Sequence, residues 1–293
     1  MMIIDGKKIA AEIRREIGED VARFRSRYGI SPVLAAIIVG DDPASKIYVR
    51  NKEKGCSEVG IESRILQLDK TITTTGLLEE IDRLNKDSRV HGILVQRPLP
   101  NNCNENQILD AVDPCKDVDS FHPENVGLVS QGRPRFIPCT PFGIQELLLR
   151  SGIETSGKNA VIVGRSNIVG KPMGLMLLQQ TKCGNATVTI THSRTKNLAD
   201  ITSRADILIA AIGVPNFVTT NMVGRGAVVI DVGINRLPDG KICGDVDFDN
   251  VKEIASAITP VPGGVGPLTV TMLLRNTLTA AQLLVGNYKQ VGY

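Results

Sequence analysis

The chain has 293 residues, of which 42% are hydrophobic, and its formal net charge is only +3. This length fits two domains of ordinary size, and the low charge with 3% aromatic residues argues against a nucleic-acid-binding protein. No apolar run has the length of a membrane span, and the N-terminus lacks a signal-peptide core. Six scattered cysteines without a C-x-x-C pair are typical of reduced thiols in a cytoplasm, and no metal site is predicted because the three histidines are not spaced with them as ligands.

Helical and strand patterns alternate through the first half of the chain. Apolar residues recur with helical spacing between residues 7 and 28, and a nearly continuous apolar run at 33–40 predicts a strand covered on both faces. A helix is predicted from Asp42-Pro43, strands at 61–68 and 92–96, and a helix at 75–87. The alternation predicts a small α/β domain.

Two polar residues on the helix after Pro43 are candidates for chemistry. Tyr48 and Lys52 lie four residues apart and therefore share a face, which Cys56 and Val59 continue as a partly apolar surface. An amine in such surroundings is partly desolvated, which favours the neutral form that transfers protons, and the tyrosine ring can stack on a flat ligand. The alternative is a surface lysine that extends past a core tyrosine.

Two further candidates follow in the first half. Gln96 ends a predicted strand, at the sheet edge where open α/β folds bind ligands, and its amide can hold a lysine amine in place. The loop at 113–123 carries Asp113, Asp117 and Asp119, which lack the glycine and glutamate of a calcium loop. A single aspartate that binds the adjacent N–H groups of an amino-heterocycle fits this loop better.

The second half is organised around the stretch at 158–173. A helix is predicted from 138–143, with Thr140 as its cap. The apolar run 160–163 then ends at Gly164, and a polar loop leads through Gly170 into an apolar-periodic segment. Free N–H groups at such a helix start favour a phosphate, although the G-x-x-x-x-x-G spacing is also compatible with an ordinary strand-to-helix turn.

The end of the next strand, 186–191, bears on the choice of cofactor. An acidic residue at this place usually binds the free ribose hydroxyl of NAD, whereas arginine and hydroxyl groups bind the 2′-phosphate of NADP. This chain offers Ser193 and Arg194, with Arg165 in the loop beside them, and no acid. The pattern favours NADP, and the alternative is a solvated basic turn.

Two more buried strands, a glycine-rich loop and a final helix complete the chain. The strands at 206–213 and 227–234 each end in or near a glycine, and the loop at 259–267 can shape a pocket wall from its backbone. We predict two α/β domains with a cleft between them. Residues 1–140, completed by the helix at 267–293, form the first, and residues 141–266 form a Rossmann-like NADP-binding domain.

Several segments together resemble the methylenetetrahydrofolate dehydrogenase/methenyltetrahydrofolate cyclohydrolase family of one-carbon metabolism. They occur in the family's order over nearly the whole chain. The matching stretches are VGDDPASKIYVRNKEKGCSEVGI (39–61), GILVQRPLP (92–100), KDVDSFHP (116–123), PCTPFG (138–143), VIVGRSNIVGKPM (161–173), THSRT (191–195), DVGINR (231–236) and TPVPGGVGPLT (259–269).

The resemblance implies a role for each matching residue. Lys52 looks like the family's catalytic lysine, with Tyr48 stacked on the folate, Gln96 bonded to the lysine, and Asp119 anchoring the pterin ring. The cofactor would be bound by Gly164, Arg165, Ser166, Ser193 and Ile234. Pro262 and Gly263 would border the folate pocket.

The implied activity is the NADP-dependent oxidation of 5,10-methylenetetrahydrofolate, followed by hydrolysis of the methenyl product to 10-formyltetrahydrofolate. The resemblance also implies a cytoplasmic homodimer. The chain departs from the family pattern at Arg97, where an apolar residue is usual, at Ser120, where glycine is common, and at Leu268, where methionine is common. Open alternatives are a dehydrogenase without cyclohydrolase activity, a dehydrogenase for an amino-acid or shikimate-like substrate, and a folate-binding relative without turnover.

Overall fold

The computed structural model describes residues 1–286, apart from the side chains of residues 43–48, and divides into two compact units. Among the described residues, one unit combines Met1–Ala11 with Thr140–Thr269, and the other combines Glu12–Cys139 with residues 270–286. No helix within this described part is long and apolar enough to cross a bilayer.

The unit that contains Glu12–Cys139 is built on a parallel sheet of three strands, in the order β3 (Glu62–Leu68), β2 (Val33–Val39) and β4 (Gly92–Val95). The whole of β2 is buried, as its continuous apolar run predicts, since both faces of the central strand are covered. From the start of the chain, the elements are β1 (Met2–Ile3), α1 (Gly6–Tyr28), β2 (Val33–Val39), α2 (Pro43–Val59), β3 (Glu62–Leu68), α3 (Thr74–Lys86), β4 (Gly92–Val95), α4 (Glu105–Asp110) and α5 (Pro123–Ser130).

The unit that contains Thr140–Thr269 is built on a larger parallel sheet. Within the described residues it has six strands, in the order β1, β11 (Ala257–Ile258), β8 (Val228–Asp231), β7 (Ile207–Ala210), β5 (Asn159–Val163) and β6 (Thr187–Thr191). Along the chain, the remaining elements are α6 (Cys139–Arg150), β5 (Asn159–Val163), α7 (Gly170–Leu178), β6 (Thr187–Thr191), α8 (Leu198–Thr202), β7 (Ile207–Ala210), β8 (Val228–Asp231), β9 (Asn235–Arg236), β10 (Ile242–Cys243), α9 (Phe248–Val251), β11 (Ala257–Ile258) and α10 (Gly266–Leu284), with a 3₁₀ turn at Thr220–Met222. From Val270, α10 belongs to the unit that contains Glu12–Cys139.

The strand order identifies where this larger sheet binds ligands. The first strand of the βαβ series, β5, lies between β6 and β7, so the order reverses on either side of it. Doubly wound sheets bind their ligands at such a reversal, outside the carboxyl ends of the strands. The predicted class of two α/β domains, one of them Rossmann-like, is confirmed.

Two details differ from the sequence-based expectations. Residues 1–11 belong to the larger unit, and Met2 pairs in parallel with Ala257 in its sheet, although the predicted boundary places them in the first domain. A strand of two residues has no periodicity by which a sequence can reveal it. In addition, α6 begins at Cys139, so Thr140 lies inside the helix instead of capping it.

Candidate active site

The smaller sheet brings Lys52 and Gln96 into direct contact. Lys52 projects from α2, which follows β2, and Gln96 comes directly after β4. The Lys52 Nζ donates a hydrogen bond of 2.9 Å to Gln96 Oε1, and both side chains are half-buried. Gln96 Nε2 in turn donates to the Arg97 carbonyl at 2.7 Å. The amide is therefore held at both ends, and it fixes the position of the amine.

Asp119 lies close enough to Lys52 for their charges to interact. Burial raises the pKa of its carboxyl, while the Lys52 ammonium, a hydrogen bond from Cys139 and the Arg97 guanidinium act in the opposite direction. The Cys139 Sγ lies 3.4 Å from Asp119 Oδ1 and 3.5 Å from the Val118 carbonyl. The structure thus gathers an amine, an amide and a carboxylate, which together can bind a polar heterocycle and move a proton.

Arg97 adds a second cation beside this group. Its Nη2 lies 2.7 Å from Glu105 Oε1, and its guanidinium carbon lies 5.7 Å from the centre of the Phe121 ring. The Arg97 Nε is buried without a hydrogen-bond partner. An acidic side chain and an aromatic face therefore contact the arginine, and both compensate its positive charge.

Two further observations concern the predicted site. The side chain of Tyr48 lies outside the described residues, so its stacking role stays a prediction. Across the described residues, no group of three or more His, Cys, Asp or Glu side chains is placed to hold a metal ion.

The predicted phosphate loop lies at the reversal point of the larger sheet. Gly164 follows β5 with φ +126°, and a Cβ there would overlap the Ala211 carbonyl oxygen at the end of β7. A Cβ at Gly170, the first residue of α7, would overlap the carbonyl oxygen of Gly164. Both positions therefore require glycine, because any side chain there would overlap a backbone carbonyl oxygen.

Polar side chains surround that loop. Arg165 and Ser166 are exposed, and the Ser166 Oγ accepts from the backbone N–H groups of Val169 at 3.1 Å and Gly170 at 3.4 Å. After β6, Ser193 and Arg194 are also exposed, in a turn where His192 Nδ1 accepts from the Arg194 N–H. The cation and hydroxyl groups suit a phosphate ester, so these residues fit a phosphorylated dinucleotide.

The remaining predicted residues lie in loops of the same unit. Ile234 follows β8, and 49% of its surface is exposed. Gly263 has φ +115°, and its carbonyl oxygen accepts from the Lys7 N–H at 3.1 Å. Pro262 is exposed and follows a cis peptide bond.

Sequence reasoning missed two buried carboxylates in this unit. Asp231, at the end of β8, accepts from the N–H groups of Gly233, Asp245 and Val246 at 2.9–3.0 Å. Burial, as the largest effect, raises its pKa to about 6. Asp245 is fully buried and accepts from a second set of donors. Asp231 could have been recognised as an acid at the end of an apolar strand, but only the glycine of that motif entered the prediction.

Comparison with known proteins identifies the family of this chain. The model of the tetrahydrofolate dehydrogenase/cyclohydrolase catalytic domain matches residues 4–119, and the model of the NAD(P)-binding domain of that family matches residues 138–285. The chain belongs to the tetrahydrofolate dehydrogenase/cyclohydrolase family. It is 59% identical over 291 residues to the bifunctional protein FolD of Rhodopirellula baltica, covering 96% of this chain and 97% of that protein.

Solved structures of the family have the same fold. The bifunctional FolD enzyme of Campylobacter jejuni is 49% identical, with a TM-score of 0.93, and the match covers 97% of this chain and 99% of that one. The Trypanosoma brucei FolD structure, determined with NADP cofactor and an inhibitor, is 39% identical, with a TM-score of 0.92 and coverage of 98% and 99%. The predicted family is thereby confirmed, and this protein is a dehydrogenase/cyclohydrolase with an NAD(P)-binding domain.

Proposed function

We propose that this enzyme oxidises 5,10-methylenetetrahydrofolate to 5,10-methenyltetrahydrofolate with NADP and then hydrolyses the product to 10-formyltetrahydrofolate. We assign folate chemistry to the unit containing Glu12–Cys139 and NADP binding to the unit containing Thr140–Thr269. The observation that carries the proposal is the hydrogen bond of 2.9 Å between Lys52 Nζ and Gln96 Oε1. It supports the proposal because proton transfer needs a base whose position is fixed.

The hydrolytic step uses this amine. Water attacks the one-carbon bridge of the methenyl cation, and Lys52 accepts a proton from that water. The bond from the bridge carbon to the leaving ring nitrogen then breaks, Lys52 returns its proton to that nitrogen, and the remaining hydroxyl proton passes to solvent as the formyl C=O forms. Gln96 holds the amine in position through the step. The Asp119 carboxylate binds two adjacent N–H donors of the pterin, which aligns the bridge with Lys52. Tyr48 is assigned to stacking on the folate.

The oxidative step depends on alignment of two flat reactants. NADP supplies a nicotinamide ring that accepts a hydride. The backbone at Gly164 and the side chains of Arg165 and Ser166 are assigned to the phosphates, and Ser193 to the 2′-phosphate. Ile234 offers an exposed apolar side chain for packing against the cofactor.

The loop after β11 is assigned to the substrate. Pro262 and Gly263 border the folate in this proposal. The positive φ of Gly263 supports the assignment, because a residue without a side chain lets a flat ligand approach the backbone.

A spectrophotometric assay with methylenetetrahydrofolate tests the proposed function. We expect methenyltetrahydrofolate to form with NADP at a kcat/KM at least about tenfold above that with NAD, which corresponds to about 1.4 kcal/mol from binding the 2′-phosphate. We also expect the methenyl product to decay faster than in an enzyme-free control. Formation without enhanced decay would indicate a dehydrogenase alone. If neither formation nor decay exceeded the control, the proposed activity would be wrong.

The resemblance to the family also supports a homodimer that works in the cytoplasm. Light scattering coupled to size-exclusion chromatography is expected to give twice the mass of one chain. A mass equal to one chain at micromolar concentration would refute the dimer.

A further inference from the structure

Asp245 lies outside every role assigned above, yet it is the most heavily bonded carboxylate of the larger unit among the residues described. Its Oδ2 accepts from the N–H groups of Ile212 at 2.7 Å and Gly213 at 3.0 Å. Its Oδ1 accepts from the N–H of Val214 at 2.9 Å and from Asn235 Nδ2 at 2.9 Å. A fully buried carboxylate thus binds four donors from two separate segments, the loop after β7 and the start of β9.

Both loops lie at the ligand edge of the larger sheet. Residues 212–214 follow β7, and Ala211 just before them packs on the phosphate-loop glycine, Gly164. Asn235 comes directly after the exposed Ile234. Since dinucleotides bind at the carboxyl edge where the strand order reverses, both loops lie where a cofactor contacts this unit.

A second carboxylate holds Asp245 in place. Asp231 Oδ1 accepts from the backbone N–H of Asp245 at 2.9 Å and of Gly233 at 3.0 Å, so it connects the two chain segments. A Cβ at Gly233 would overlap the Asp245 carboxylate, and a Cβ at Gly244 would overlap that of Asp231. The two carboxylates therefore occupy space that both glycines leave open.

We infer that Asp245 is a positioning residue for the dinucleotide, because one carboxylate fixes loop 212–214 and the Ile234 loop relative to each other. The inference rests on the proposed function, which assigns the cofactor to this edge. Asp245 acts through the backbone of loop 212–214 and through Asn235, and it does not contact the reacting atoms. Its effect is therefore confined to cofactor binding and alignment, and leaves the chemistry at Lys52 unchanged.

The substitution Asp245→Asn tests this role. The amide keeps the size of the carboxylate, but its nitrogen cannot accept, so at least one pair of donors loses its acceptor. We expect the KM for NADP to rise about tenfold or more, the factor that corresponds to 1.4 kcal/mol. Hydrolysis of 5,10-methenyltetrahydrofolate needs no NADP, so we expect its rate to stay within about twofold of the wild type.

Two further variants serve as controls. Asp247→Asn changes an aspartate two residues away whose carboxylate accepts from Asn250 Nδ2 at 2.8 Å, and it should leave both activities unchanged. Asn235→Ala removes one of the four donors to Asp245 and should raise the KM for NADP by a smaller factor. If Asp245→Asn fails to fold, the result for Asn235→Ala decides: a higher KM for NADP supports the inference, and an unchanged one overturns it.

Two direct measurements complete the test. Titration calorimetry gives the Kd for NADP, and hydrogen exchange followed by mass spectrometry should show faster exchange at residues 212–214 in Asp245→Asn. An unchanged Kd for NADP, or equal losses of NADP binding and of methenyltetrahydrofolate hydrolysis in the folded variant, would overturn the inference. A wild-type protein that does not bind NADP would instead refute the proposed function.

Discussion

Replacing Lys52 with methionine separates the two proposed reactions. Methionine keeps an unbranched side chain of similar length but has no amine, so the hydrogen bond of 2.9 Å to Gln96 Oε1 is lost along with the proton-transfer group. General acid–base catalysis contributes about 10²–10⁴ in rate, which equals about 3–5 kcal/mol of transition-state stabilisation. We expect cyclohydrolase activity to fall by a factor in that range, while NADP binding stays unchanged.

The assay follows methenyltetrahydrofolate directly, by its formation from the methylene substrate and by its decay when supplied alone. Lys54→Met is the matched control, because Lys54 is exposed on the same helix, two residues further along. We expect it to keep both activities. A cyclohydrolase rate in Lys52→Met within about threefold of the wild type would remove this amine from the mechanism, since general acid–base catalysis contributes at least about 10².

A double-mutant cycle extends the test to Gln96. If the amide acts only by holding the amine, Gln96→Ala should slow hydrolysis by about 10–100-fold, as expected for a hydrogen bond to a charged group. The same change should have little further effect in the Lys52→Met background, because the two residues then act as one unit. Additive losses would show that Gln96 has a separate role.

Three other perturbations test the cofactor unit. Arg165→Ala with Ser193→Ala should raise the KM for NADP at least about tenfold more than that for NAD, and equal increases would refute the 2′-phosphate assignment. The pKa of Asp231 is about 6 in the folded protein, above its usual 3.8, so the folded state binds the proton more tightly. Its contribution to stability is therefore complete below pH 3.8 and lost as the pH rises through 6. Relative to Asp231→Asn, the free energy of unfolding of the wild type should fall by about 3 kcal/mol from pH 3.8 to 7, and parallel pH profiles from urea unfolding would contradict this. Gly164→Ala should lower the free energy of unfolding by about 3 kcal/mol or more, because of its backbone angle and the overlap with a carbonyl oxygen. Gly152→Ala, at a position with φ +68° and open space around the added Cβ, should lower it by about 1–2 kcal/mol. Equal losses in urea unfolding would show that the overlap does not matter.

Much of the fold followed from periodicity because the buried strands are long or uniformly apolar. The run at 33–40 predicted β2 to within a residue, and the run at 160–163 predicted β5. The strand Met2–Ile3 was missed because two residues carry no pattern, and its pairing with Ala257 joins distant parts of the chain. Such a pairing depends on tertiary contacts that a local sequence window does not contain.

The residues of the candidate site also differ in whether the sequence alone reveals them. Gln96 was recognisable because a polar residue ends an apolar strand, and its amide chemistry suggested a lysine partner. Asp245 was not recognisable, because its four donors are mostly backbone N–H groups of residues that are apolar or glycine. A carboxylate that binds backbone has no complementary side chain to mark it, so only the folded structure shows what it holds together.

Two of the three departures from the family pattern, Ser120 and Arg97, are accommodated by contacts in the structure. Ser120 has φ +60°, a backbone region that favours glycine, which explains why glycine is common there. Its left-handed conformation costs about 1–2 kcal/mol, and the hydrogen bond of 3.0 Å from its buried hydroxyl to the Phe136 carbonyl offsets about 1 kcal/mol of that. Arg97 brings a charge where an apolar residue is usual, but Glu105 and Phe121 hold it. Both substitutions thus carry their own compensating contact, and the Lys52–Gln96 hydrogen bond forms beside them.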